Sequence, residues 1–400
     1  MSNFSEWPVA KLCEIAQIYS GGTPSRADPS MWNGDVPWLT PGELTKKTRR
    51  TVLSTAESIT KGAIRSSGAV LLPVSTLMVT TRATLGSCAL AGLPMATNQG
   101  FKNLAFNKEI ADPEFYYFVL REMSSEMKRR ASGTTFLEIP VGEFGNLSVP
   151  VPPLHEQRRI VEILDEADNV RRAHQRTLEK ISLVRKGIIA QAMSLERGDF
   201  CSKLGDLASL IVDGVHHTPT YRETGVPFIT VENLTRGPGI SLDPVRRVSK
   251  GDHASYARRA DPAPGDILVS KDGTLGVARV IPEGLPEFSI FVSVALIKPK
   301  RSLLNPVYGC AFFESPEFFR QLRRISSGTG LNHIHLKDFK AFEINAPALN
   351  LQESWVIRLG ELDDAMRKER EAMLKMERVS QGLVTDLIAG RVRVPVTSAV

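Results

Sequence analysis

The feature that most limits how this chain can fold is a heptad-patterned stretch that occurs twice. A shift of 195 residues lays Gln157 on Gln352 and, with it, Pro152 on Pro347, Leu154 on Leu349, Val161 on Val356, Leu164 on Leu359, Glu166 on Glu361, Asp168 on Asp363, Arg172 on Arg367, Val184 on Val379 and Gly187 on Gly382. A single offset held over roughly forty residues marks an internal duplication. Each copy follows a proline lead-in and continues in a three-then-four spacing of apolar residues, the pattern of a helix that packs lengthwise on a partner. In the first copy the spacing selects Ile160, Ile163, Ala167, Val170, His174, Thr177, Ile181, Val184 and Ile188. In the second it selects Trp355, Leu359, Leu362, Met366, Glu369, Met373, Met376, Ser380, Leu383 and Leu387. At 1.5 Å per residue each pattern spans about 60 Å, well beyond an ordinary core helix. The rest of each circumference is charged, so each helix needs one partner, and the other copy is the obvious one. His174 and Glu369 are equivalent under the shift and sit near mid-helix. Antiparallel pairing about a pseudo-twofold brings them together as a polar contact that fixes register. The expectation is therefore antiparallel helices with His174 within about one turn of Glu369.

Composition removes several classes. The chain has 400 residues, 42% of them hydrophobic, enough for more than one core. Glu6, Lys11 and Glu14 interrupt the N-terminus where a signal peptide needs an apolar run. The longest charge-free stretch, 83–101, contains Gly86, Gly92, Pro94, Asn98 and Gln99 and is no membrane span. Cys13, Cys88, Cys201 and Cys310 are scattered without CxxC spacing, which argues against a disulfide scaffold or zinc site and for a cytoplasmic setting. The net charge of +6 is concentrated in basic runs at Lys46-Lys47, Arg49-Arg50, Lys128-Arg129-Arg130, Arg246-Arg247, Arg258-Arg259 and Arg323-Arg324. Each run alone reads as a solvated face; their recurrence outside both helices points to a polyanion such as nucleic acid.

The blocks around the helices are duplicated too. Lys11–Ala16 matches Lys203–Ala208, and Gly21-Gly22-Thr23-Pro24 is followed in parallel by Gly214 to Pro219. A shift of 190 carries Val36–Thr40 onto Val226–Thr230 and Leu77–Gly86 onto Ile267–Gly276. Both of the latter read as a β-branched strand running into a polar turn. Asp112-Pro113 and Asn305-Pro306 open short helices, as an N-cap followed by proline should. The resulting order is block 1–151, helix 152–197, block 198–346, helix 347–392 and tail 393–400. The fold class is α+β: two mixed α/β domains separated by two long helices that form an antiparallel coiled coil, with a pseudo-twofold internal repeat. Head-to-tail pairing would hold the blocks at opposite ends of a rod.

The lead-in Val151-Pro152-Pro153-Leu154-His155-Glu156-Gln157-Arg158-Arg159-Ile160 resembles the start of the central helix in specificity subunits of type I restriction-modification systems. Gly21-Gly22-Thr23-Pro24-Ser25, Thr81–Gly86 and Ser132-Gly133-Thr134-Thr135 are similar to that family's target-recognition domains. The likeness spans nearly the whole chain. It departs in the second lead-in, Ala346-Pro347-Ala348-Leu349-Asn350-Leu351-Gln352-Glu353, and in a second block without the Gly-Gly-Thr-Pro run or the turn arginine. The resemblance implies a subunit without catalysis that reads a split, asymmetric site in double-stranded DNA, one domain per half-site. Its helices would set the gap and dock two methyltransferase subunits, through which restriction and translocase subunits join. No cofactor is expected in this chain; S-adenosylmethionine would sit on the methyltransferase subunits, and ATP with Mg on the restriction subunits. Rival readings are a self-contained adenine methyltransferase or nuclease, which would need a cofactor loop or a metal–carboxylate cluster, and a coiled-coil adaptor that binds DNA without sequence preference.

Candidate DNA contacts follow from the turns and basic runs. Arg82 leads, because a guanidinium after a strand pairs with two guanine acceptors. Thr81 and Thr84 flank it, and Thr134 and Thr135 offer hydroxyls to phosphate. In the second block Lys271 and Asp272 occupy the equivalent turn, with His216, His217, Asn332 and His333 as further candidates. Lys128, Arg129, Arg130, Arg323 and Arg324 suit phosphate contacts. Three catalytic look-alikes read better as structure. Asn305-Pro306-Val307-Tyr308 departs from the N-P-P-Y methyltransferase motif and suits a helix cap, and His333-Ile334-His335 with Asp338 lacks a third metal ligand. Glu156 and Glu353 suit the positive end of a helix dipole.

Overall fold

The computed structural model describes residues 7–46, 49–82, 84–132, 137–195, 200–325 and 333–394. The long helices run Leu154–Ala192 and Leu349–Ile388, 39 and 40 residues. The chain divides into two compact units, Met1–Ala173 with Ala372–Val400, and His174–Glu371. The compact units therefore do not follow the boundaries read from the prolines. Each long helix gives one half to each unit, because a seam that is apolar on one side only is buried against a block as well as against its partner.

In unit one the central sheet has the order Ala16–Ser20, Phe101–Phe106, Leu77–Thr80, Cys88–Ala91, Thr51–Val52. Strand Leu77–Thr80 is buried along its whole length, as expected for a β-branched run covered on both faces. A second sheet sets Trp32–Leu39 between Glu57–Ile59, antiparallel, and Ala96–Thr97, parallel. Helix Pro113–Glu122 closes the core with Phe115, Tyr116, Val119 and Leu120. Ile160, Val161 and Leu164 of the first long helix meet Leu387 and Ile388 of the second in that same core.

Unit two repeats the plan with strands Ala208–Asp213, Val294–Pro299, Ile267–Ser270 and Ala278–Val280, then Arg246–Val248, Val226–Ile229 and Ser289–Ile290. Here Ile189, Ala192 and Met193 pack with Leu359 in one core. In both units the start of one helix meets the end of the other, so the pairing is antiparallel. His174 Nδ1 lies 2.7 Å from Glu369 Oε2, the contact expected from the repeat. Eleven residues on, Arg185 donates to Asp363 at 2.7 Å, six residues back along the other helix, which gives the same direction.

The second seam is as read: Trp355, Leu359, Leu362, Met366, Glu369, Met373, Met376, Ser380, Leu383 and Leu387 are all buried or half-buried. The first seam is corrected at two positions, Thr177 and Val184, which are exposed, while Ile160, Ile163, Ala167, Val170, His174, Ile181 and Ile188 are buried or half-buried as read. Leu164, Arg171, Leu178, Arg185 and Ala192 are covered as well. Two of these are arginine stems, which apolarity alone passes over.

Gln157 and Gln352 explain the lead-in motif. Each side chain is buried, with Nε2 donating to two carbonyls: Ile110 and Pro152 for Gln157, Leu303 and Pro347 for Gln352, at 2.7 to 2.8 Å. Each Oε1 accepts the backbone N–H of the cap residue of an earlier helix, Asp112 at 2.8 Å and Asn305 at 2.9 Å. The glutamine thus ties the long helix to the block that precedes it.

Candidate nucleic-acid interface

The site grows from the turn after the central strand of each unit. Thr80 and Ser270 end those strands, and their hydroxyls donate to the carbonyls of Thr84 and Thr274 while accepting the N–H of Ser87 at 3.0 Å and Val277 at 2.8 Å. The turn closes through Gly86 and Gly276, whose φ of +88° and +78° suits glycine. A Cβ at Gly276 would also meet the Phe318 ring at 2.4 Å.

Each turn is then clamped against a second segment. Arg82 forms an isolated bridge with Glu138, and Asp272 with His333. Ile139 N–H donates to Thr81 O at 3.3 Å, and Ile334 N–H to Lys271 O at 2.8 Å. The fold therefore joins the strand turn of each block to the residues that follow its Ser-Gly-Thr region in sequence, Glu138-Ile139 and His333-Ile334. Thr134, Thr135 and Asn332 themselves lie outside the described residues.

The chemistry at this shared position differs between units. In unit one Arg82 Nε donates to Glu138 Oε2 at 2.6 Å, and Lys102 Nζ lies 3.8 Å from the other carboxylate oxygen. Burial pulls the Lys102 ammonium below its ordinary range, with Glu138 opposing and Arg82 reinforcing that shift. Arg82 keeps 43% of its side chain exposed, so its guanidinium still faces outward. In unit two the acid changes place: Asp272 carries it on the turn, and His333 on the second segment bonds it through Nδ1. The other ring nitrogen of His333 is 3.4 Å from Lys271 Nζ, which reaches Asp213 Oδ2 at 3.2 Å. Asp213 also accepts from Arg259 Nη2 at 2.6 Å and stands 3.0 Å from His216 Nε2. Burial favours protonation of Asp213, but bonds from Arg259, His216 and Lys271 outweigh it and hold the carboxyl below the usual range.

Several sequence candidates are thus brought together: Arg82 beside Thr84 in unit one, and His216, Lys271, Asp272 and His333 in unit two. Two of the candidates are corrected. Thr81 is buried, donating its hydroxyl to Gly100 O at 3.2 Å, and Lys271 is buried within the ion network, because each directly follows a strand that is covered along its whole length. Thr84 is exposed on the turn. His217 turns aside to Tyr256, 3.3 Å from its hydroxyl. Lys128, Arg129 and Arg130 end helix Ser124–Arg130, with Arg129 and Arg130 tied to Glu126. Arg323 and Arg324 are exposed in the last turn of helix Pro316–Ile325. Both sets suit a helix C-terminus, and each directly precedes the clamped segment.

Sequence reasoning missed Lys102, Glu138 and Asp213, and saw Arg259 only as half of a basic run. A lone carboxylate closing the apolar strand Ala208–Asp213 was a usable signal; the others come from distant segments. The small sheets add stacked guanidinium groups, Arg26 3.7 Å from the Trp32 ring and Arg246 4.8 Å from the Tyr221 ring. Asn305 caps its helix by accepting from Val307 and Tyr308, and Asp338 accepts the His335 N–H at 2.9 Å. Glu156 is more than a dipole partner: it is buried and binds Arg393 at 2.7 and 3.0 Å and Trp7 at 3.2 Å. Among the described residues no three His, Cys, Asp or Glu gather as metal ligands, and no helix is long and apolar enough to cross a membrane.

The type I restriction modification DNA specificity domain matches residues 4–183 and again 201–376. The MjaIX type I restriction enzyme specificity subunit of Methanocaldococcus jannaschii is 24% identical, covering 97% of this chain and 94% of the relative. A type I specificity subunit of Escherichia coli is 31% identical over 41% of each chain. Among solved structures, one described for assembly of the type I R-M system superposes with TM-score 0.69 at 20% identity, covering 96% of this chain and 98% of the other. The S subunit from M. genitalium gives 0.54 at 14% identity over 96% of each. These likenesses show the fold.

Proposed function

Because the chain belongs to the type I restriction modification DNA specificity family, we propose that it is the non-catalytic subunit that reads a two-part, asymmetric site in double-stranded DNA for such a complex in the cytoplasm. Each unit reads one half-site, and the paired helices set the gap and dock two methyltransferase subunits. Those subunits carry S-adenosylmethionine and connect to restriction subunits that use ATP and Mg.

One observation carries this reading. Two units of the same plan place unlike groups at one equivalent position, Arg82 with Glu138 in the first and Asp272 with His333 in the second. Readers that present different donors and acceptors at that position select different base edges, so their target is asymmetric. The basic runs supply contacts to phosphate that position the domains without specifying sequence. The test is to purify the chain with and without its methyltransferase subunits, measure DNA binding, and map methylated adenines genome-wide. The complex should methylate a two-part motif. Methylation by the isolated chain, or a complex whose methylation ignores sequence, would overturn the reading.

A further inference from the structure

We infer that Arg259 is the base-reading guanidinium of unit two and that buried Asp213 is the residue that aims it. This rests on the DNA-reading role proposed above. In unit one the outward-facing cation of the site is Arg82, braced by Glu138. At the equivalent turn of unit two the lysine, Lys271, is buried and the next residue is an acid, Asp272. The turn therefore presents no exposed cation.

The fold supplies one from another element. Arg259 lies just past helix Lys250–Ala257 and reaches back 46 residues to Asp213. It donates twice to that one residue, from Nε to the backbone carbonyl at 3.2 Å and from Nη2 to the carboxylate at 2.6 Å. His216 Nε2 adds a contact at 3.1 Å. Only 3% of the Asp213 side chain is exposed, against 54% for Arg259. A buried acid thus grips the Nε–Nη2 edge of a half-exposed guanidinium and leaves its Nη1 side to face outward. Two bonds to one anchor fix the plane of the group. Fixing the plane suits a bidentate contact with O6 and N7 of guanine; a phosphate contact is served equally by a mobile cation. The neighbouring Arg258, bonded at 3.1 Å to the Ser255 hydroxyl, has no such anchor and suits phosphate.

The test maps methylated sites in cells for the whole complex carrying Arg259→Ala, Arg259→Lys, Asp213→Asn, Arg258→Ala or Arg82→Ala. Arg259→Ala and Arg259→Lys should lower discrimination at one base pair of unit two's half-site by roughly ten- to a hundredfold, leaving the other half-site intact. Asp213→Asn should relax that same base pair to a smaller extent, which a merely structural role would not do. Arg258→Ala should weaken all sites alike, and Arg82→Ala should act on the other half-site only. A two-part wild-type motif that Arg259→Lys leaves unchanged would overturn this inference while sparing the broader one, as would a loss spread evenly over all sequences. A wild-type complex with no two-part motif would overturn both.

Discussion

Gln157 and Gln352 show how much a single residue fixes here. Each makes three buried or part-buried hydrogen bonds, and each accepts the backbone N–H of a helix cap residue. Leaving such groups without partners costs about 1–3 kcal/mol each, so Gln352→Ala should destabilise the chain by about 2–4 kcal/mol. A denaturant midpoint that does not move would show the tie to be dispensable. Asp213 behaves differently because its contribution depends on charge. Its carboxyl is held below the ordinary aspartate value of 3.8, so the stabilisation is present above that value and is lost as pH falls through the depressed one. The stability gap between the wild-type chain and Asp213→Asn should be level near neutrality and close in acid. Unfolding curves at a series of pH values check this, and a gap that persists unchanged at the acid end would contradict it. The sequence announced the glutamines through their repeated motif. It showed Arg259 only as half of a basic run and Glu138 not at all, because a contact between segments 46 or 56 residues apart leaves no local period.

At the scale of elements, the paired helices were legible and two positions of one seam were not. Apolarity chose Val184 over Arg185, yet the 195-residue shift maps the correctly read Ser380 onto Arg185 and Met373 onto Leu178. The duplication itself held the correction. Arg185 earns its seam position chemically: its stem is covered while its head bridges Asp363 and Glu314. Burial opposes its charge, but those two carboxylates outweigh the penalty and raise its pKa above the ordinary value. Ser380 cannot reach so far, and unit one instead has a groove of about 910 Å³ lined in part by Ser380, Asp168, Arg172, Arg121 and Tyr117. The repeat is thus similar in backbone plan and broken in chemistry. The other polar pair, His174 with Glu369, sits at equivalent positions and remains part-exposed. A double-mutant cycle of His174→Ala and Glu369→Ala should give a coupling of about 0.5–1 kcal/mol, small because solvent still screens both groups. Zero coupling would mean that register is set by the apolar seam alone.

For the whole molecule, the sequence showed two blocks and two helices but placed the divisions at the prolines, whereas each compact unit takes half of both helices. Proline marks where a helix starts; it carries no information about what that helix packs against. This sharing bears on the proposed role of the helices as the spacer between half-sites. Residues added to one helix alone would shift its seam against the other, so a change of length must be made in both. Four residues inserted into each, near His174 and Glu369, add about 6 Å of helix and just over one turn, a shift that a coiled seam absorbs by local unwinding. Along the duplex, 6 Å corresponds to nearly two base pairs at about 3.4 Å each. Each added base pair also turns the second half-site by about 35° around the axis, since a turn holds 10–10.5 base pairs, and the readers must follow that rotation. The motif methylated by the variant complex should therefore keep both half-sites and widen its gap by one to two base pairs, read directly from the genomic methylation map. A gap that stays the same while both half-sites are still read would show that something other than the helices sets the spacing.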